Sequence, residues 1–209
     1  MKGLSLKEAK KDFPVIGKFI QEVFGENEMQ VYDWLSQVKF DPGPVDSRKK
    51  RVLIVAGSPA SGKSTFLEIV KTLFSFDGVE ISKYELEREY NSHWIAKSMV
   101  CIDEFYFDKI KHQEIIKAMA NSVFSRVKKK GSIDTAIRPK LNFLLVSNDL
   151  EGAKKLVVNN RKSFIIQTTG NDITPSPKEF LADKNKELSL MAEDELIKLT
   201  DYLYTNFKK

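Results

Sequence analysis

Residues 57–64 have the spacing G-x-x-x-x-G-K-S, and they follow an apolar run at residues 52–56. The stretch after them, residues 65–71, favours a helix. A buried strand that feeds a glycine-rich turn and then a helix directs backbone N–H groups and the positive helix end at phosphate. The pattern therefore predicts a phosphate-binding loop that holds a nucleoside triphosphate.

Individual positions of this loop suit the parts of a bound triphosphate. Gly57 and Gly62 allow a close backbone approach that a side chain would obstruct. Lys63 can reach the β- and γ-phosphates, and the Ser64 hydroxyl can ligate Mg²⁺. The residues predicted to contact the nucleotide are Gly57, Ser58, Pro59, Ala60, Ser61, Gly62, Lys63, Ser64 and Thr65.

Two acids, Asp103 and Glu104, end a second apolar run at residues 98–102. Strand ends at one edge of a parallel sheet converge on a common crevice, which would bring this pair to the phosphate loop. We expect Asp103 to hold Mg²⁺ through its waters and Glu104 to act as the general base for an attacking water. Solvated turn residues are the alternative interpretation of the same pair.

Asn148 follows a third apolar run, residues 141–146, and the intervening Ser147. An amide at this place could hydrogen-bond both the γ-phosphate and the attacking water. Taken alone, an Asn-Asp pair after a strand is an ordinary turn signal. Its order after the loop and the acid pair favours a catalytic role for Asn148.

Apolar strands that alternate with helices predict an α/β fold with a mostly parallel central sheet covered on both faces. Pro14 is placed to begin one helix, a second is expected over about 28–38, and a capping box at Ser82 predicts a helix towards Trp94. A further helix is expected over about 108–124, and a capping box at residues 176–179 predicts that another helix begins in the tail. Apolar residues predicted on the inward faces of the helix at 108–124 and of a last helix are Ile110, Ile115, Ile116, Met119, Val123, Leu196, Ile197, Tyr202, Leu203 and Phe207.

This pattern divides the chain into a small N-terminal helical appendage (1–47), a nucleotide-binding core (48–170) and a C-terminal helical tail (171–209). The residues at 41–44 and 46–50 form the break before the core. From its position and apolar face, the appendage is a candidate oligomerisation collar.

Composition sets outer limits on the protein. The 209 residues are 42% apolar, enough for one α/β domain with additions, and the net charge of +5 is compatible with a polyanionic partner. The single cysteine, Cys101, excludes an intrachain disulfide. No apolar stretch has the length of a membrane span, which predicts a soluble, intracellular protein with no membrane contact.

The order of the loop, Asp103-Glu104 and Ser147-Asn148 resembles the three motifs of superfamily 3 helicases, which occur in viral, phage and plasmid replication proteins. The resemblance covers residues 50–167. It implies an AAA+ type P-loop ATPase that uses ATP and Mg²⁺, forms a homo-hexamer and threads single-stranded nucleic acid, DNA in preference to RNA, through a central pore. In a virus or phage, such a protein would act in the host cytoplasm with partner replication proteins.

The same resemblance suggests two further groups of residues. Arg161 lies before a strand and after Asn148 at a separation like that of the family's arginine finger, which completes a neighbouring subunit's site. Lys128, Lys129 and Lys130 occupy the position of the family's nucleic-acid-binding hairpin. A surface arginine and a solvated lysine loop are the alternatives.

Two other functions stay open. The loop also resembles those of P-loop small-molecule kinases, although the chain has no arginine-rich lid segment, and an acid beside Asp103 favours hydrolysis. The third hypothesis is a non-motor ATP switch or helicase loader.

Overall fold

The computed structural model describes residues 6–40, 51–158, 161–170 and 185–207, with side chains from 194 to 205 in the last range. A five-stranded sheet in the order β2-β3-β6-β1-β7 forms the centre, and every adjacent pair is parallel. A separate antiparallel pair joins β4 and β5. The strands are β1 (Val52–Ala56), β2 (Gly78–Glu80), β3 (Met99–Ile102), β4 (Ser125–Val127), β5 (Thr135–Ile137), β6 (Asn142–Ser147) and β7 (Ser163–Gln167).

Helices cover the sheet and connect its strands. They are α1 (Leu6–Ala9), α2 (Pro14–Phe24), α3 (Glu28–Phe40), α4 (Lys63–Leu73), α5 (Ile110–Asn121), α6 (Leu150–Val158) and α7 (Asn185–Phe207), with short 3₁₀ helices at Gly25–Asn27 and Lys83–Glu87. The α/β class and the parallel sheet predicted from the sequence are confirmed.

The central strands are apolar along their whole length because both faces are covered. Every residue of β1, β3 and β6 is buried, as expected of a parallel sheet between helical layers. Register pairs Ala56 of β1 with Ser147 of β6 and with Gln167 of β7. The carboxyl ends of β1, β6 and β7 therefore lie side by side at one edge.

The helix predicted from Ser82 to Trp94 is wrong beyond its first turn. The capping box between Ser82 and Glu85 forms, but the 3₁₀ helix ends at Glu87 and Arg88 is extended. The backbone N–H groups of Asn91 and Ser92 donate instead to the Lys128 carbonyl, at 3.1 and 3.2 Å. These long-range bonds replace the helical ones.

The helix predicted over 108–124 is shorter than expected, and two of its predicted core residues are exposed. Ile116 is buried, and Ile115 and Met119 pack against the core, whereas Ile110 is 72% exposed. Val123 lies beyond the end of α5 and is 54% exposed. Both errors are at helix ends, where the spacing of apolar residues does not predict which side chains the neighbouring segments cover.

Helices α2, α3 and α7 pack on the sheet as part of one apolar core. Ile20 of α2, Leu35 of α3 and Leu203 of α7 belong to the same buried cluster as Leu53 of β1 and Phe66 of α4. Pro14 begins α2 as predicted. The apolar faces that suggested an oligomerisation collar are thus buried within the chain. In α7, Ile197, predicted to face inward, is 61% exposed.

The carboxylate of Glu195 joins α7 to the start of α2. It accepts hydrogen bonds from the backbone N–H groups of Val15 and Ile16, at 3.2 and 2.9 Å. A helix N-terminus leaves such donors unpaired and favours a negative charge beside them. The predicted break at 41–50 and the capping box at 176–179 lie outside the described residues, as does the side chain of Phe207.

Two further features are the apolarity of the helices and the burial of the single cysteine. None of the described helices is long and apolar enough to cross a membrane. Cys101 is fully buried in β3, and burial raises the pKa of its thiol to about 12. Its thiol is therefore protonated at neutral pH.

Candidate active site

The loop between β1 and α4 has the strained geometry expected of a phosphate-binding turn. Gly62 precedes α4 in the left-handed region at φ 82°, and Ala60 has φ 62°. A Cβ atom at Gly57 would lie 1.9 Å from the Thr168 hydroxyl oxygen. The packing at position 57 and the backbone geometry at position 62 therefore require glycine.

Lys63 is the first residue of α4 and is 94% buried by its own loop. Its ammonium group donates to the Ser58 carbonyl and to the Ser61 hydroxyl, the latter at 3.3 Å. Burial lowers the pKa of Lys63, and the negative charge of Asp103 acts in the opposite direction. Lys63, at the start of α4, and Asp103, just after β3, are therefore close enough to interact electrostatically.

The hydroxyl of Ser61 connects the loop to the end of β7. It donates to the Ser58 carbonyl at 2.8 Å and accepts from the Thr168 hydroxyl at 2.8 Å. Thr168 is 4% exposed, and its backbone N–H donates to the Ala56 carbonyl. Thr168 therefore supports the phosphate loop from the neighbouring strand.

We expect Thr168→Val to weaken binding of a nucleoside triphosphate and to lower the free energy of unfolding by about 1 kcal/mol, because it removes a buried hydrogen bond. Thr168→Ser keeps the hydroxyl and should behave as wild type. Thermal denaturation with and without ATP measures both effects. Equal stabilisation of Thr168→Val and wild type by ATP would contradict this role.

Asp103 and Glu104 directly follow β3, and Glu104 has an unusual backbone. Its φ is 49°, and among the described residues other than glycine, only Ala60 of the phosphate loop shares a positive φ. The Glu104 N–H donates to the Asp103 carboxylate at 2.8 Å, and the Phe105 N–H donates to the Val146 carbonyl at 2.8 Å. Left-handed backbone at such residues costs about 1–2 kcal/mol and clusters at functional sites.

Ser147 ties the end of β6 to the turn that carries the acids. Its buried hydroxyl donates to the Phe105 carbonyl at 2.5 Å and accepts from the Asp149 N–H at 3.0 Å. The intervening Asn148 is exposed at the same edge of the sheet. Ser147 therefore fixes the position of Asn148 relative to Glu104.

The strand order explains how the three motifs meet. β6, with Asn148 at its end, lies between β1, which leads into the loop, and β3, which leads into the acids. Adjacent strands are about 4.8 Å apart, so the ends of β1 and β3 are about 10 Å apart with the end of β6, followed by Asn148, between them. That gap has the dimensions of a phosphate group with its ligands.

The donors at this edge suit Mg²⁺ bound together with phosphate. Ser64 is exposed in the first turn of α4, and the partly exposed Asp103 lines a cleft with Glu80, Ser82 and Glu104. The described part of the chain has no group of three His, Cys, Asp or Glu side chains arranged for a metal. A hydroxyl and a single carboxylate are the ligand set of Mg²⁺ that keeps waters and phosphate oxygens.

Arg161 does not lie with these residues. It precedes β7 and is exposed at the opposite, amino-terminal edge of the sheet. A strand of five residues separates the two edges by about 16 Å. Arg161 therefore does not reach the phosphate loop of its own chain.

The lysine run lies in a β-hairpin, as the resemblance to superfamily 3 helicases implied. β4 and β5 pair in antiparallel register, and residues 128–134, which include Lys128, Lys129 and Lys130, connect them. Gly131 adopts φ 73° in this turn. We call residues 122–140 the lysine hairpin.

Asn91 fixes the base of the lysine hairpin. Its side-chain amide donates to the Arg126 carbonyl at 3.0 Å and accepts from the Lys128 N–H at 2.8 Å. Asn91 thus pairs with β4 as a neighbouring strand would.

Two positioning residues, Thr168 and Asn91, were not predicted from the sequence. Thr168 directly follows β7 at the edge that carries the loop, so the rule that identified Asp103 could have found it. Asn91 has no comparable signal, because its partners are distant in sequence.

A family model with the description "Family of unknown function (DUF5906)" matches residues 55–168, more than half of the chain. These residues run from the end of β1 to Thr168 and include the three motifs and the lysine hairpin. No curated protein gives a significant match.

Solved structures of the NrS-1 C-terminal region share the fold. One, the A form apo structure, has a TM-score of 0.66 at 15% identity and covers 98% of this chain. Another, an apo structure of residues 305–718, has a TM-score of 0.65 at 15% identity and also covers 98%. The chain spans 48% and 49% of these structures, about half of their length.

Proposed function

We propose that this chain, which belongs to the DUF5906 family, is an ATP-hydrolysing nucleic-acid motor with the AAA+ type organisation of superfamily 3 helicases. One observation carries the proposal: the phosphate loop, the acid pair and Asn148 meet at one edge of a parallel sheet, with the lysine hairpin inserted between the last two in sequence. The role we assign is replication of a viral, phage or plasmid genome, as in the proteins that carry these three motifs.

ATP would bind with its phosphates against the loop. Backbone N–H groups of Ser58 and of residues 60–65, with the start of α4, supply positive potential, and Lys63 exchanges its bonds to Ser58 and Ser61 for the β- and γ-phosphates. Ser64 and Asp103 would hold Mg²⁺, which neutralises phosphate charge when bound.

Hydrolysis requires water activation at the γ-phosphate. Glu104 takes a proton from water as the water oxygen bonds to the γ-phosphorus, and the bond from that phosphorus to the bridging oxygen breaks to release ADP. The Asn148 amide orients the water and the γ-phosphate. Arg161 of a neighbouring copy stabilises charge on the transferring group, which requires assembly into a ring, expected to be a hexamer.

Charge placement supports a nucleic-acid partner. The lysine hairpin contains six basic residues and one acidic residue, so it carries a net charge of +5, which equals that of the whole chain. The rest of the chain has as many acidic as basic residues. An excess of cations in one projecting hairpin matches the phosphate backbone of a nucleic acid.

A second function, a small-molecule kinase, is favoured by one observation. The acid pair, Asp103 and Glu104, lines a cleft together with Glu80, Ile81 and Ser82. A hydroxyl acceptor in this cleft would take the γ-phosphate in place of water.

Product analysis with ATP labelled at the γ-phosphate distinguishes the two. We expect free inorganic phosphate from purified wild type without any added metabolite, and none from Lys63→Ala. Lys18→Ala, an exposed lysine of α2, is the matched control and should release phosphate at the wild-type rate. Label found only in a small molecule of a cell extract, with no free phosphate, would support the kinase and contradict the motor.

A further inference from the structure

The two faces of the lysine hairpin differ in chemistry. In an antiparallel pair, alternate residues face opposite sides. Val127 and Ile137 pack against the apolar core, which defines the inward face. The opposite, outward face carries Phe124, Arg126 and Arg138, all of which are exposed.

Phe124 and Arg138 form a stacked pair on this outward face. They lie one residue beyond Ser125 of β4 and Ile137 of β5, which are paired in the antiparallel register. The guanidinium carbon of Arg138 lies 5.2 Å from the centre of the Phe124 ring, and Phe124 is still 59% exposed. The Ser122 hydroxyl donates to the Phe124 carbonyl, which holds the backbone of the aromatic residue.

We infer that this outward face binds single-stranded nucleic acid by stacking an unpaired base on Phe124, while Arg126, Arg138 and the lysines contact phosphates. An exposed aromatic ring beside cations is the combination that binds single strands without sequence preference. Bases in a duplex already stack on both sides, so only an unpaired base can use the ring. This base-stacking site would add to the phosphate contact of the proposed function, on which it rests.

Binding of a fluorescein-labelled oligodeoxythymidylate, measured by anisotropy, tests this site independently of ATP hydrolysis. Phe124→Ala should weaken binding about tenfold, as expected for loss of one stacked base. Phe124→Trp should retain wild-type affinity. An abasic strand of the same length and charge should bind wild type and Phe124→Ala equally.

Two controls separate stacking from charge and from folding. Phe76→Ala removes another exposed phenylalanine, 96% exposed and outside the hairpin, and should not change binding. A triple change of Lys128, Lys129 and Lys130 to Ala should weaken binding of both strands and reduce the salt dependence. Thermal melting of Phe124→Ala should match that of wild type, because the ring is not in the core.

The outcomes distinguish this inference from the function on which it rests. If Phe124→Ala binds the oligonucleotide as tightly as wild type while the triple lysine variant does not, stacking is overturned and the phosphate contact stands. Equal affinity of wild type for duplex and single strand also overturns stacking. If wild type binds no oligonucleotide, both base stacking and the nucleic-acid motor are overturned. In that case, loss of self-association in Phe124→Ala would assign the ring to a contact between protein chains.

Discussion

Glu104→Gln is expected to bind ATP as tightly as wild type and to hydrolyse it roughly 10²- to 10⁴-fold more slowly, the contribution typical of a general base. The amide keeps the size of the side chain and the hydrogen bonds of the turn but cannot take a proton from water. Single-turnover phosphate release measures the rate, and a fluorescent ATP analogue measures binding.

Glu151→Gln provides the matched control for this loss. Glu151 is an exposed acid in α6, close in sequence to Asn148, and it pairs with Lys154 at 2.6 Å. The control should hydrolyse ATP at the wild-type rate. A Glu104→Gln enzyme that retains wild-type turnover would show that the general base is another residue.

Arg161→Ala is expected to reduce ATP turnover by roughly 10³- to 10⁵-fold, the effect of an arginine that stabilises a transferring phosphoryl group. Because Arg161 lies at the edge of the sheet opposite the phosphate loop, the loss must arise in a neighbour's site. Arg88→Ala, a change at another exposed arginine, should retain activity.

Mixing the inactive Lys63→Ala and Arg161→Ala proteins tests where this arginine acts. A ring that contains both has some interfaces with an intact Lys63 on one side and an intact Arg161 on the other, so part of the activity should return. No activity in rings shown to be mixed would contradict a shared site.

Much of the site could be predicted because each motif sits directly after an apolar run. The runs before Gly57, Asp103 and Asn148 all form buried parallel strands, whose carboxyl ends meet at one edge. The position of the hairpin was implied by the family resemblance, and Gly131 after the consecutive lysines suits its turn.

The remaining features depend on contacts that local sequence does not encode. The residue type at position 104 does not predict its positive φ. This conformation goes with the hydrogen bond from the Phe105 N–H to the Val146 carbonyl, which joins the turn to β6. The helix predicted towards Trp94 ends at Glu87, and Asn91 instead bonds to Arg126 in β4 and to Lys128 just after it. The order of β2, β3, β6, β1 and β7 follows from packing, and with it the position of Asn148 between the loop and the acids.

We expect ATP hydrolysis at the phosphate loop to be coupled to binding of single-stranded nucleic acid at the lysine hairpin. The most direct test is the steady-state rate of phosphate release by the wild-type protein as oligodeoxythymidylate is titrated. We predict a saturable increase that is lost in the triple change of Lys128, Lys129 and Lys130 to Ala, whose basal rate persists. A rate of phosphate release that does not change at any concentration of the strand would contradict this coupling.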